Sequence, residues 1–600
     1  MAQQTDPHPP SADFAMRLPL LTFVLSSTLP QLGPRLGKLV LTRPTRKLDE
    51  TPSSSDTTVL EMETPNILVG TSRGIVPHLS RDHCNSSDAI KWINVPFESF
   101  LEQVPPIPTM QPGPYPLHSF LGFDTRKHIT SLCLRDPLDS REMPPNGNAA
   151  VSANCVRGVR KVTLPDWRSY VSKMQPDIVF ALTDTPFTTP PHSQKRVTKS
   201  IERSAAWVSD ILRPISESTS SPQLSTARIS QHPLNVFVHM AGGTSTHARE
   251  AFAYSLTEKL HGPEAEAVKP LQTLDEGISG YSFDLASLRG IKPSPNTSQH
   301  RSLPDDYLQR ESPDMLQNTQ SIEEVSTPNT TGGLSLSSSV SSLAEPIIPL
   351  EVSSLLKASL EELPKRKPRL VTGVRSPHEM LRLIRDVGVD VFDSAWAMNA
   401  ANIGIALDFV FPVPCTQTAD TKPRNLGHNI YHSTYAHQFT RLADSLSGAA
   451  ETPQESGPWP RIVCPCIACS PQSPFSHVLH SSTDVQSYSD TSNEVVYGKP
   501  CSRAYLHHLL HTHEMSAHTL LVAHNLAVLS ALLSGVRAVL NGGEGVNERF
   551  ADEVKRFEDT YDESMEVFSA AKKDWRNVDK ARGKGRLARE KGRQEDEEVG

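Results

Sequence analysis

The chain has 600 residues, of which 37% are hydrophobic and 50 are proline, with a formal net charge of −8. Average globular chains lie nearer ~45–50% apolar and ~5% proline, so one large core with polar insertions fits better than several tight domains. The acidic balance excludes a globally basic nucleic-acid coat, whose affinity comes from neutralising phosphates, and eight cysteines in this length exclude a secreted disulfide framework.

Residues 1–15 read as a disordered leader without Lys or Arg, and MRLPLLTFVLSS at 16–27, broken by Pro19, reads as a first strand rather than a signal peptide. No run approaches the ~20 apolar residues of a membrane span, so a soluble, cytoplasmic chain is expected. Short apolar strands are predicted at 66–70 (NILVG), 177–183 (DIVFALT), 235–240 (NVFVHM), 281–285 (YSFDL), 369–374 (RLVTGV), 389–394 (VDVFDS) and 403–411 (IGIALDFVF). Several are almost wholly apolar, as expected when both sheet faces are covered. Helices are predicted over 195–212, 244–260, and from Ser376. There Ser376 suits the N-cap, Pro377 the first helical position, Glu379 a capping box, and Gly388 the stop. Ser/Pro-rich or polar stretches at 213–232, 291–346, 414–460 and 470–500 cannot bury enough apolar surface to offset chain entropy.

Strands alternating with helices predict an α/β fold, a (β/α)8 TIM-like barrel. An open doubly wound sheet is the runner-up, but its G-x-G-x-x-G turn is absent. The expected layout is a barrel over 16–415 with insertions at 213–232 and 291–346, then a loop over 416–460. A zinc-binding subdomain with a closing helix follows over 461–545, with an insertion at 470–500, and then a charged tail over 546–600. That tail mixes charge signs and reads as a solvated helix end more readily than as an RNA-contacting arm.

Half of the cysteines cluster late, as Cys464, Cys466, Cys469 and Cys501. Three thiolates in CPCIAC can face one soft ion, and Zn2+ in structural sites prefers four tetrahedral S and N ligands. Residue type and spacing leave the fourth open among Cys501, His507, His508, His511, His513, His518 and His524, the histidines being placed on a helix from Ser502 to about Leu540. The run His513-Glu514…His518 is not a protease motif. Its i+5 spacing turns the second imidazole about 140° from the first, whereas H-E-x-x-H keeps both on one face.

CPCIAC, SRAYLHHLL (502–510) and the AHN ending at Asn525 together resemble the zinc signature of the tRNA-guanine transglycosylases. DIVFALTDTP with KRVTKSIERSAAW, and KPRLVTGVRSPHEMLRLIRDVGVDVFDS, are similar to two further segments of that family. The resemblance spans about 16–545. It implies a (β/α)8 barrel, one structural Zn2+ held by Cys464, Cys466, Cys469 and His524, and Cys501 as a bystander.

Catalytic members use one aspartate as nucleophile and a second for proton handling. Asp393 in VFDS stands at the nucleophile position, but the arginine- and glycine-rich run expected after it is missing. The string carrying the second aspartate is absent. Asp124 in LHSFLGFDTRKHITSLCLRDP lies nearest but lacks the glycines, and VHMAGGTS keeps Gly242 and Gly243 without the base-reading glutamine. These departures resemble the accessory, non-catalytic branch of the family. That branch implies a heterodimer with a catalytic queuine tRNA-ribosyltransferase subunit, tRNA as a further partner, and exchange of guanine for queuine at the wobble position of GU(N) anticodons. It also implies peripheral association with the mitochondrial outer surface. Catalytic residues are then none, with Asp393 inactive. Two alternatives stand: an active transglycosylase using Asp393, and a zinc-stabilised interaction protein without a tRNA role.

Overall fold

The computed structural model describes residues 20–26, 31–44, 57–139, 143–155, 157–185, 192–214, 234–289, 352–414, 422–446, 463–473, 496–543 and 545–583. Three antiparallel strands come first: β1 (Leu20–Leu25), β2 (Gly37–Pro44) and β3 (Thr57–Thr64), in the order β1-β2-β3. Eight parallel strands then close a barrel: β4 (Asn66–Gly70), β5 (Trp92–Pro96), β6 (Ile129–Cys133), β9 (Ile178–Phe180), β10 (Val236–His239), β11 (Ile278–Asp284), β12 (Arg369–Thr372) and β13 (Val391–Asp393). A hairpin of β7 (Ala150–Cys155) and β8 (Gly158–Thr163) is inserted after β6. The helices that place the site are α1 (Leu164–Met174), α2 (Gln194–Leu212), α3 (Thr246–Thr257), α4 (Val352–Leu360), α5 (Pro377–Val387) and α6 (Ala395–Asn402). They are followed by α7 (Arg503–His511), α8 (Met515–Leu540), α9 (Val546–Thr560) and α10 (Glu566–Gly583).

Alternation along each barrel strand splits the core in two. Leu68, Trp92, Ile129, Ile178, Phe180, Phe237, Leu370 and Val391 fill the barrel interior, while Ile67, Val69, Ile93, Val179, Val236 and Val238 face the helices. Inside, Phe237 meets both Trp92 and Phe180, at 5.4 and 5.8 Å between centroids. The β1–β3 sheet closes the end from which the barrel strands start. Its Leu21, Leu39, Leu41 and Met62 belong to the interior cluster, and burying each contributes about 1.5–3 kcal/mol.

Two arginines clamp this floor. Arg43 Nε donates to Asp177 Oδ1 at 2.6 Å, and Arg35 Nε to Asp390 Oδ1 at 3.0 Å. Each pair adds a second guanidinium–carboxylate bond and is almost wholly out of water. Asp177 and Asp390 immediately precede β9 and the Val391 strand, four staves apart, so the sheet is held on opposite sides of the ring.

Several expectations need correction. IGIALDFVF is not a barrel strand: its core is β14 (Ile405–Leu407), paired antiparallel with β15 (Gly427–Asn429). Two barrel strands, β5 and β6, have no counterpart among the predicted strands. The 416–460 segment is not simply loop, because within 422–446 it forms β15 and buries Leu426, Ile430 and Leu442. The helix expected from Ser502 to Leu540 breaks into α7 and α8, with His513 at φ 61° in the gap. Ser376 caps α5, but Glu379 turns its carboxylate to Arg375 N at 2.9 Å and to Arg289, so the box is not reciprocal. Gly388 ends α5 at φ 75°, its N–H reaching Leu383 and Ile384 carbonyls. Finally, α8 is long and apolar enough to cross a membrane by length and composition, contrary to the sequence reading. Its apolar residues are spent on the protein core instead, with Leu521, Val522, Val528, Leu529 and Val536 fully covered. The insertions at 291–346 and most of 213–232 and 470–500 lie outside the described residues, as do residues 1–15.

Candidate metal centre and barrel mouth

The segment CPCIAC approaches the middle of α8, where His524 and Asn525 point at β14. Asn525 accepts from Leu407 N at 2.9 Å and donates to Ile405 O and Ala397 O at 3.0 and 3.1 Å. That ties the helix to the strand through the polar edge of β14, and it explains why asparagine follows the histidine. His524 Nε2 faces Leu407 O at 2.9 Å. A carbonyl only accepts, so Nε2 carries the proton and the neutral ring offers its lone pair at Nδ1.

Around that nitrogen stand three sulfurs: Cys464 Sγ at 3.6 Å, Cys466 Sγ at 3.7 Å and Cys469 Sγ at 3.4 Å. A tetrahedral zinc with bonds of ~2.3 Å to sulfur and ~2.0–2.1 Å to nitrogen needs S···N edges of about 3.6 Å, which these match. All four residues are buried, and their ligand atoms lie within 4.8 Å of one another, so the cluster could hold a metal ion. The Cys469 N–H donates to Cys466 Sγ at 3.3 Å, the local turn that lets a C-x-x-C pair share one centre. The structure therefore brings together Cys464, Cys466, Cys469 and His524. It leaves Cys501, His507, His508, His511, His513 and His518 outside. Residues 472–473 (β16) and 496–497 (β17) pair antiparallel, and Cys501 N reaches Ala468 O at 2.8 Å. The chain on either side of residues 474–495 thus runs side by side, and CPCIAC and SRAY are neighbours in space.

A second set of acids and one histidine, Asp408, His428 and Asp444, also lies within ligand distance. A guanidinium already sits among them: Arg503 Nη2 is 2.9 Å from Asp444 and 2.8 Å from His428. This set reads as an ionic lock between α7 and β14–β15.

At the opposite end of the barrel from the β1–β3 sheet, the strand ends carry carboxylates. Asp393 ends β13. Its Oδ2 accepts from Gly373 N and its Oδ1 from Ala395 N at 3.2 Å. Burial pushes its pKa up to about 7, helped by the charges of Asp136 and Glu379. Asp284 ends β11, accepts from Ala286 N at 2.9 Å, and is likewise pushed up to about 7 by burial, with Asp393 adding to the shift. Glu98, just after β5, is buried and raised to about 7 as well. Asp184, beyond β9, is fully covered. It is gripped by Arg196 at 2.8 and 2.9 Å, Arg203 at 3.1 Å and Asn146 at 2.8 Å. These groups line or flank a cleft bounded also by Phe180, His239, Gly242, Gly243 and Arg249. Gly242 sits at φ 118°, and a Cβ there would meet Arg249 N at 2.7 Å, so only glycine fits.

Asp124 does not reach this mouth. It precedes β6, at the barrel's other end, and accepts from Arg126 N at 2.8 Å. The sequence reading missed Asp284, Asp136 and Glu98. The signal that finds them is an acid at or just past the C-terminal end of a barrel strand, where (β/α)8 active sites are built.

A closed parallel barrel with acids at its C-terminal mouth, flanked by a Cys3His knot on a closing helix, defines the class: a transglycosylase-like barrel with a metal-binding subdomain. The model of the queuine tRNA-ribosyltransferase family matches residues 51–271, 316–451 and 483–562, and the chain belongs to that family. It is similar to queuine tRNA-ribosyltransferase accessory subunit 2 of Drosophila grimshawi (22% identity over 80% of this chain and 83% of the relative) and of Schizosaccharomyces pombe (22%, 83% and 79%). The Danio rerio protein of the same name is 30% identical over 29% of this chain and 37% of its own length.

Proposed function

We propose that this chain is the non-catalytic subunit of a heterodimeric tRNA-guanine transglycosylase. It would pair with a catalytic queuine tRNA-ribosyltransferase subunit and hold tRNA while that subunit exchanges guanine for queuine at the wobble base. The observation that carries the reading is the state of the barrel mouth. Asp393, at the family's nucleophile position, spends its two oxygens on backbone N–H groups of Gly373 and Ala395. Asp184 is closed off by two guanidiniums. A buried carboxyl with a midpoint near 7 is half protonated at neutral pH and a correspondingly poor nucleophile. The Cys464–Cys466–Cys469–His524 cluster would hold one zinc ion, chosen for three soft thiolates in tetrahedral array. Its role would be structural, fastening the 463–473 loop to α8.

One observation favours the second reading, an active single-chain enzyme: Asp393 is close enough to Asp284 for its charge to add to the rise there. The experiment is affinity purification of the tagged chain from its own cells, followed by guanine exchange on tRNA. The accessory reading expects a catalytic transglycosylase in the eluate, no exchange by the isolated chain, and full exchange by a complex carrying Asp393→Asn. Exchange by the isolated chain that Asp393→Asn abolishes would establish the second reading instead.

A further inference from the structure

Two histidines on α7 stand side by side outside the Cys3His knot. His507 and His511 are four residues apart on one helix, so their side chains rise from the same face. Their ring centroids are 4.3 Å apart, with the planes tilted by 51°. Each ring is anchored by one nitrogen to the backbone of the segment after β15. His507 Nδ1 lies 2.8 Å from Ile430 O, and His511 Nε2 lies 3.0 Å from Tyr431 O. Because a carbonyl has no proton to give, those nitrogens carry the hydrogens. In the neutral rings, His507 Nε2 and His511 Nδ1 therefore hold the lone pairs, and neither makes a further hydrogen bond among the described residues.

We propose that His507 and His511 form a second metal site, a two-imidazole chelate for a divalent transition ion such as Ni2+, Cu2+ or Zn2+. The outward carbonyl bonds supply what ligating histidines require from their surroundings: a fixed tautomer and a fixed ring orientation. His511 is exposed and His507 half-buried, so an ion reaches them from solvent and keeps water in its remaining positions. Burial, with His511, His437 and His508 nearby, holds His507 below the usual imidazole range, so it is neutral at pH 7. Two nitrogens favour Ni2+ and Cu2+ over harder ions, while the three thiolates keep their own ion. The site is independent of the proposed tRNA role.

The test is calorimetric titration of the zinc-loaded full chain with Ni2+, with released zinc measured in the same samples. One Ni2+ per chain is expected at micromolar concentration with no zinc released. Affinity should fall at least tenfold in His507→Ala and in His511→Gln, and should hold in His518→Ala. His511→Gln places an amide N–H near the position of the ring Nε2, where Tyr431 O accepts it, so a loss there reports the missing imidazole and not a frayed helix. The proposal is overturned if Ni2+ does not bind, binds only as zinc leaves, or binds equally well to both variants.

Discussion

Replacing Asp284 with asparagine should make the protein more stable at pH 8. Asp284 is buried at the end of β11, and its midpoint rises from an ordinary ~3.9 to about 7. The folded carboxyl therefore binds its proton more tightly than the unfolded one. Between pH 4 and pH 7 the folded state keeps a proton that the unfolded state has lost, so this group lowers stability as pH rises through that window. Below the window both states are protonated and the effect vanishes; above it the burial penalty is fully expressed. A rise of roughly three units at ~1.36 kcal/mol each gives about 4 kcal/mol at pH 8, and about 1.5 kcal/mol at pH 5. Asparagine has no proton to lose, and its carbonyl can still accept from Ala286 N, which lies 2.9 Å away. Urea unfolding of both proteins with saturating zinc, at pH 5 and pH 8, isolates the difference. A variant no more stable than the native chain at pH 8 would mean that the carboxylate is ionised and well solvated in the folded state. The account of Asp284 as a carboxyl held against ionisation by burial would then fail.

Emptying the proposed zinc site, by chelation or by Cys464→Ala, should release the 463–473 loop from α8 and weaken co-purification of the proposed catalytic partner. The energies at stake are on the scale of structural zinc, ~10–16 kcal/mol apparent, and a variant that retains both a full metal complement and its partner would contradict this. Arg43→Met should cost about 3–5 kcal/mol in chemical denaturation, because Asp177 stays buried with chiefly Thr130 to satisfy it. Adding Asp177→Asn should recover part of that loss, and a single variant within ~1 kcal/mol of native would refute the clamp. Within the proposed heterodimer, Asp393→Asn should leave guanine exchange unchanged, as read by labelled-guanine release from tRNA.

The architecture was legible wherever apolar runs were uninterrupted. NILVG, NVFVHM and RLVTGV are barrel strands because both of their faces are covered. ITSLC escaped notice because its polar residues satisfy one another out of water: Ser131 Oγ donates to Asn94 at 2.9 Å, and Thr130 N to Asp177 at 2.7 Å. IGIALDFVF misled for the converse reason. It is as apolar as a barrel strand, yet it owes that to α6 and α8 packing on it. At the metal centre the three cysteines announced themselves by spacing, whereas the histidine came only from likeness to a family. Nothing in the residue pattern separates His524 from its neighbours until α8 is docked on Leu407. The carboxylates Asp284 and Glu98 were hidden in plain strand and loop text, since what makes them unusual is burial, which sequence does not display.

The floor clamps bear on how the chain is made. Arg35 and Asp390 are 355 positions apart in the chain. At roughly 5–20 residues per second, the ribosome adds the second about 18–70 s after the first. Throughout that interval the ring that covers Leu39, Leu41 and Met62 is incomplete. Folding is thereby deferred until the eighth stave emerges, and truncated translation products should be captured by chaperones through this amino-terminal face.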